Sequence, residues 1–351
     1  MLGACLVLAT LYNSALFAGA EGVWVGRAWV EGRRLEALVL TPKGAFGVGL
    51  PEEDEGLYGL APTPGGWVAV GFSGLRALWV RLDAQGRPRA AWRGPEGVLW
   101  FTDGVHAVGG LGPRPDWDVW LLRLADGKGH RYRGPGDAYA YGLWRSGGAL
   151  YLVGRTAGPG GFDAFWLHTD LEGRLRAGYQ SRFPGNDYLR YVGPGLAVGR
   201  AEVEGDSEGF LWWLPGGRAE LWRRPGLDYF RMWRTYPRSR VLVGEAEVEG
   251  ERRGLWVEGG QARALGSGLG SLRYLEPQTP RAVGFSYSYS PEGQGWLSTG
   301  QGAGVVLKYR REPFFLQPKR LEWRAEPVEP VWQPLPGAVE LAGRLEPCPA
   351  Q

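Results

Sequence analysis

The chain has 351 residues, of which 44% are hydrophobic, so it can bury either two or three ordinary cores or one large closed β architecture. Its formal net charge is +3 with basic and acidic residues interleaved, which argues against nucleic acid or an anionic membrane surface as a partner. The 59 glycines and 26 prolines are spread over the whole length, which indicates many tight turns and excludes one long disordered block.

The first predicted element lies in the apolar N-terminal segment, residues 1–21. "AGA" at 18–20 has the form of a secretory cleavage site, but no basic residues precede the apolar run. "LGAC" at 2–5 fits a bacterial lipobox with Cys5 as the acylated residue, which would need a start codon further upstream. We favour a third interpretation, in which "LYNSALF" at 11–17 is the first strand of the mature fold. The Asn and Gly of this segment disfavour a stable membrane span.

A short apolar run ending in glycine then recurs seven times along the chain. Gly26 and Gly71 are 45 residues apart, Gly71 and Gly109 are 38 apart, and the other intervals fall within this range. The seven marker glycines are Gly26, Gly71, Gly109, Gly154, Gly199, Gly244 and Gly284. A period in the forties with β-rich content is typical of propeller blades. The sequence therefore predicts an all-β, seven-bladed β-propeller over residues 22–312.

One period shows the expected blade. It reads as strands at 139–144, 150–155, 162–170 and 174–180, separated by turns that contain glycine or aspartate. Six third strands also carry a tryptophan at a similar offset, which we interpret as core packing between neighbouring sheets. These residues are Trp79, Trp120, Trp166, Trp212, Trp256 and Trp296.

The stretch "GGALYLVGRTAGPGGFDAFWLHTDLEGRLRAGYQ" resembles the bacterial SBBP-type β-propeller repeat. "DWDVWLLRLADG" at 116–127 and "LRALWVRLDAQG" at 75–86 repeat its second half, and the match covers roughly residues 22–315. The resemblance implies a four-stranded, seven-bladed propeller fold. It supplies no catalytic residues to carry over.

Long and variable loops are predicted to lie on one face of the propeller, where the second-to-third strand hairpins share a rim with the connections between blades. Two of them are near copies, "RAEVEGDSEG" with Glu204 and "EAEVEGERRG" with Glu249. Function concentrates in such loops, so both glutamates are candidate binding residues. Tyr287 and Tyr289 in "SYSYS" are the best candidates for stacking against a glycan on the same rim.

Three aspartates recur just before first strands of successive blades, Asp137 in "PGDAY", Asp187 in "PGNDY" and Asp228 in "PGLDY". A ring of carboxylates at the mouth would hold Ca²⁺ or a cationic ligand, because hard cations need several oxygens. The alternative, which we favour, is that each carboxylate accepts backbone N–H bonds in its turn. No other cofactor is expected.

Catalytic motifs with HExxH, GxSxG, CxxC or P-loop spacing do not occur in the sequence. We therefore expect a non-catalytic scaffold that binds another protein of the cell envelope or of a surface assembly through the long-loop face. A glycan-binding module is the first alternative. A metal-dependent hydrolase or sugar oxidoreductase is the second, and it would need the three aspartates to converge on a bound ion.

The C-terminal residues 313–351 leave the repeat and are rich in proline, which predicts an arm strapped along the propeller wall or docked on a partner. The two cysteines, Cys5 and Cys348, lie at opposite ends, where propeller closure would bring them together as a disulfide; the alternative is two unrelated free thiols. A disulfide fits an extracytoplasmic location, although the cytoplasm is not excluded. The scarcity of Asn and Met and the preference for Arg over Lys fit a thermophile, and a GC-rich genome would produce the same excess of Arg.

Overall fold

The fold is given by a computed structural model. The structure describes residues 14–29, 35–41, 44–49, 53–134, 136–181, 183, 185–215, 218–222, 228–237, 239–248, 250–258, 261–265, 270–275, 282–286, 305–308, 319–321, 326–328 and 331–334. All regular elements within these residues are β-strands. No helix long and apolar enough to cross a membrane occurs in this part of the chain.

Consecutive strands pair antiparallel in groups of four, so each sheet forms from one local stretch of sequence. The first sheet contains β1 (Ser14–Ala20), β2 (Val23–Trp29), β3 (Leu35–Thr41) and β4 (Gly44–Gly49). The second contains β5 (Glu55–Thr63), β6 (Gly66–Ser73), β7 (Arg76–Asp83) and the first part of β8 (Pro88–Thr102). The third contains the second part of β8, then β9 (His106–Leu111), β10 (Asp118–Arg123) and β11 (Gly129–Tyr132), so β8 joins the two sheets.

The same order continues along the chain. The fourth sheet contains β12 (Ala138–Ser146), β13 (Ala149–Gly158), β14 (Gly161–Asp170) and β15 (Leu175–Gln180). The fifth contains β16 (Tyr188–Gly193), β17 (Leu196–Val203), β18 (Asp206–Trp213) and β19 (Arg218–Trp222). The sixth contains β20 (Asp228–Thr235), β21 (Arg240–Val248), β22 (Glu251–Glu258) and β23 (Gln261–Leu265), and the seventh is described by β24 (Gly270–Leu275) and β25 (Ala282–Ser286).

These sheets confirm the predicted four-stranded repeat. The strands expected at 139–144, 150–155, 162–170 and 174–180 correspond to β12, β13, β14 and β15. At the N-terminus, β1 overlaps the strand expected at 11–17 and includes residues 18–20. The middle strands are buried on both faces, as in β9 along its whole length, because each sheet has neighbouring sheets on either side.

The third-strand tryptophans pack between the sheets, as predicted. Trp79, Trp120, Trp166, Trp212 and Trp256 are all at most 3% exposed. The rings of Trp166 and Trp212, which belong to adjacent sheets, lie edge to face with centroids 6.5 Å apart. Trp296 lies outside the described residues.

Each first strand has a β-bulge opposite its marker glycine. Gly199, for example, pairs with Leu189, and the register shifts between Leu189 and Tyr191 so that Arg190 is the extra residue. The bulge brings the two backbones together, because a Cβ on Gly199 would lie 1.9 Å from the Tyr188 carbonyl oxygen. The marker glycines recur because the bulges leave no room for a side chain opposite them.

The first and seventh sheets contact each other. Strand β1 packs against both β24 and β25. One buried cluster includes Ala18 and Val25 of the first sheet together with Leu272 and Tyr274 of the seventh. The hydrophobic core therefore connects the two ends of the repeated array.

Short C-terminal strands extend the outer edges of four sheets. They are β26 (Val305–Lys308), β27 (Lys319–Leu321), β28 (Glu326–Val328) and β29 (Val331–Pro334). In that order they pair antiparallel with β19, β11, β8 and β4. The segment thus visits the fifth, third, second and first sheets, in the reverse of chain order, and covers edges that would otherwise be unpaired.

Candidate binding pocket at the seven bulges

A cavity of about 100 Å³ is lined by residues from all seven sheets. One bulge residue from each first strand reaches it, and we call these seven residues the bulge ring. Its members are Phe17, Tyr58, Trp100, Tyr141, Arg190, Arg231 and Arg273. The repeated backbone irregularity therefore delivers seven side chains to one place.

Sheets one to four contribute the aromatic half of the bulge ring. The rings of Phe17 and Tyr58 have centroids 4.9 Å apart, those of Tyr58 and Trp100 are 4.3 Å apart, and those of Trp100 and Tyr141 are 5.5 Å apart. Each aromatic side chain thus contacts the next one. The result is a continuous apolar wall along one side of the pocket.

Sheets five to seven contribute the arginine half. The guanidinium of Arg190 lies 3.4 Å from the ring centroid of Tyr141, and that of Arg273 lies 5.8 Å from the ring centroid of Phe17. Cation–π contacts therefore join the arginine half to the aromatic half at both ends. Between the two ends, the hydroxyl of Tyr229 accepts hydrogen bonds from Arg190 and from Arg231.

Glu245 balances part of this positive charge. It is 1% exposed, forms an ion pair with Arg231, and accepts a 3.0 Å hydrogen bond from the Ser271 hydroxyl. Burial alone would raise the pKa of Glu245, but the charges of Arg231 and Arg273 and its hydrogen bonds lower that pKa to about 2. Glu245 is therefore ionised at neutral pH.

A second layer of tyrosines lies two residues before the bulges in sheets four to six. Tyr139, Tyr188 and Tyr229 are buried, and the rings of Tyr188 and Tyr229 meet edge to face with centroids 5.3 Å apart. Burial raises the pKa of Tyr229, so its hydroxyl remains neutral and can accept from both arginines. These tyrosines come before the bulges on the first strands and lie beside the arginines of the bulge ring.

The aspartates predicted as candidate ligands lie at the entries of first strands. Asp137 accepts a 3.2 Å hydrogen bond from the backbone N–H of Trp117, and burial raises its pKa. Asp187 is fully buried and accepts a hydrogen bond from the Ser181 hydroxyl. Burial, with a smaller contribution from the charge of Asp163, raises the pKa of Asp187 to about 8, so its carboxyl is mostly protonated at neutral pH.

The other predicted site residues are less fully defined. Asp228 begins β20, where its backbone pairs with that of Ala246. Glu204 is exposed at the tip of the β17–β18 hairpin with φ of 57°, followed by Gly205. Glu249, Tyr287, Tyr289, Cys5 and Cys348 lie outside the described residues. Within the described ranges, no group of three His, Cys, Asp or Glu side chains is placed to hold a metal ion.

The sequence signalled the bulge ring only indirectly. The marker glycines show where each bulge lies, because every one of them pairs with the residue just before the bulge. No single residue type occurs at all seven bulges, since four of the bulge residues are aromatic and three are arginine. What the bulge residues share is their position, one residue after the residue that pairs with each marker glycine.

Comparison with known proteins finds a distant relative and no matching family. No protein-family model matches the chain. A protein of Aquifex aeolicus (strain VF5) described as uncharacterized is 28% identical over 168 residues, which is 46% of this chain. The chain spans about half the length of this relative, since the match covers 48% of it. This chain is thus a distant relative of that protein, sharing about half its length, and has the all-β architecture of repeated four-stranded antiparallel sheets.

Proposed function

We propose that the seven sheets are the blades of a closed β-propeller of the SBBP-type repeat, and that the protein is a non-catalytic binding scaffold. The contact of β1 with β24 and β25 supports closure, because the last blade of a propeller must pack against the first. The cavity lined by all seven sheets supports the same arrangement, since a propeller has one central channel.

Its partner, in this proposal, is a protein of the cell envelope or of a surface assembly that contacts the rim formed by the second-to-third strand hairpins. Leu75, at the turn of the β6–β7 hairpin, is 76% exposed, the highest value for a large hydrophobic side chain among the described residues. The equivalent turn of the fifth sheet presents exposed Glu204 and Asp206. Protein-binding surfaces combine apolar and polar contacts, and the hairpin turns of this rim offer both kinds of exposed side chain.

The carboxylates offered as a metal site already have structural roles, which favours the scaffold over a metal-dependent enzyme. Asp137 accepts a backbone N–H, and Asp187 is mostly protonated and bound to Ser181. A protonated carboxyl is a poor ligand for a cation. Glycan binding through Tyr287 and Tyr289, and a disulfide between Cys5 and Cys348 outside the cytoplasm, stay predictions.

Site-specific photo-crosslinking in the native host tests the rim. A benzophenone amino acid is placed at Leu75 or Glu204 on the rim, and at Gln85, which is exposed in the β7–β8 turn at the opposite end of the sheet, as the control. We expect one discrete protein adduct from both rim positions and none from Gln85. Adducts from Gln85 alone, equal labelling from all three positions, or no adduct from the rim would contradict the proposal.

A further inference from the structure

We propose that the pocket at the bulge ring binds a small organic carboxylate, with Arg190 as its anchor. This site is separate from the rim and does not depend on which protein the rim binds. The proposal follows from the charge balance, the fixed orientation of Arg190 and the apolar wall that faces it.

Among the residues that the structure describes, no anionic side chain pairs with Arg190. Arg231 is paired with Glu245, and Arg273 lies close enough to Glu245 to lower its pKa. Within the described part of the chain, Arg190 forms no ion pair, and its guanidinium lies over the rings of Tyr141 and Tyr188. A largely desolvated guanidinium without a counter-ion is costly, so an entering anion would be stabilised there.

Arg190 is also oriented before any ligand arrives. Its guanidinium stacks on Tyr141 at 3.4 Å, and its Nε donates to the Tyr229 hydroxyl. Among the described residues, its two terminal nitrogens have no hydrogen-bond partner, and they form the side of the guanidinium that binds both oxygens of a carboxylate. Little side-chain freedom is lost on binding, which favours affinity.

The size of the pocket and the side chains opposite Arg190 determine which group can be attached to the carboxylate of the ligand. A volume of about 100 Å³ is well below the roughly 300–1,000 Å³ of pockets that take drug-sized ligands, so the pocket suits a small molecule. Phe17, Tyr58 and Trp100 line the side away from Arg190. An anion with oxygens on every side, such as phosphate, would press oxygens against aromatic faces, whereas a short apolar tail would pack well on them.

Isothermal titration calorimetry at constant ionic strength tests the proposal with propionate, its neutral isostere propionamide, and inorganic phosphate. We expect propionate to bind at least about tenfold more tightly than either competitor, a difference of roughly one charge-assisted hydrogen bond. Phosphate binding as tightly as propionate would overturn the carboxylate assignment. Absence of propionate binding would overturn the site as a whole.

Variants identify the anchor. Arg190→Met is expected to abolish propionate binding, and Arg190→Lys, which keeps the charge but loses the planar fork, to weaken it at least about tenfold. The matched control is Arg81→Met, because exposed Arg81 also lies over an aromatic ring, that of Trp92 at 5.5 Å, but outside the pocket. Unchanged affinity in a folded Arg190→Lys or Arg190→Met protein would refute the assignment, while rim crosslinks report separately on the scaffold.

Discussion

Replacing Gly199 with alanine is expected to destabilise the fold by about 3 kcal/mol or more, at or above the upper end of the usual cost of overpacking a core. The new Cβ would lie 1.9 Å from the Tyr188 carbonyl oxygen and 2.8 Å from the Leu189 Cα. Both are backbone atoms of the neighbouring strand, so no side chain can move aside to relieve the overlap. Urea unfolding measures the loss as a lower midpoint at unchanged slope.

Gly65→Ala is the matched control for this substitution. Gly65 is exposed in the β5–β6 turn, and a Cβ there would meet nothing within 4 Å. Its stability should stay within about 0.5 kcal/mol of the natural protein. If Gly199→Ala were as mild as Gly65→Ala, the explanation of the marker glycines by close backbone approach would be wrong.

Glu245→Ala is expected to cost about 3–5 kcal/mol, because it leaves buried Arg231 without its counter-ion. The pKa of Glu245 is lowered in the folded state, so its contribution is present above the unfolded pKa, near 4.5, and is lost as the pH falls towards about 2. The variant and the natural protein should therefore differ most at neutral pH and converge in strong acid. Unfolding curves across this pH range measure the difference.

An exposed ion pair provides the comparison for Glu245. Asp126 pairs with Arg123 on the surface, where the two side chains are 33% and 40% exposed. Asp126→Ala should cost no more than about 1 kcal/mol, since surface pairs are screened by solvent. Equal losses from the two substitutions would mean that Glu245 does not compensate a buried charge.

The strand order was predictable from the sequence because each sheet forms from consecutive strands. The hairpin β13–β14 and the third-strand tryptophans follow from local turns and apolar runs, and both were found where expected. The pairing of β26 to β29 with four distant sheets was not predictable, because their register depends on unpaired edges elsewhere in the chain.

The pocket was harder to predict than the fold. A repeat is recognised by the residues that stay constant from unit to unit. The residue of the bulge ring differs between sheets, being Phe17 in the first and Arg273 in the seventh, whereas the marker glycine opposite it is present in every sheet. Asp137 and Asp187 recur in similar turns and are therefore more conspicuous in the sequence. Their repetition reflects turn geometry and burial, since one accepts a backbone N–H and the other is a buried, mostly protonated carboxyl.

Spin-label distances distinguish seven sheets that close into a ring around the pocket from seven sheets in an open array. Both native cysteines are first changed to serine. One spin label is placed on a cysteine that replaces Glu21 in the first sheet. The second label is placed on a cysteine that replaces Val105 in the third sheet, Arg145 in the fourth or Thr235 in the sixth. All four positions are at or next to turns between first and second strands. In a closed ring of seven, the third and sixth sheets are each two positions from the first, and the fourth is three.

A closed ring predicts that the distances from residue 21 to residues 105 and 235 are similar, and that both are shorter than the distance from residue 21 to residue 145. An open array predicts instead that the distance keeps growing along the chain. If the distance to residue 235 is the longest of the three, the ring is not closed and the pocket at its centre does not exist in solution.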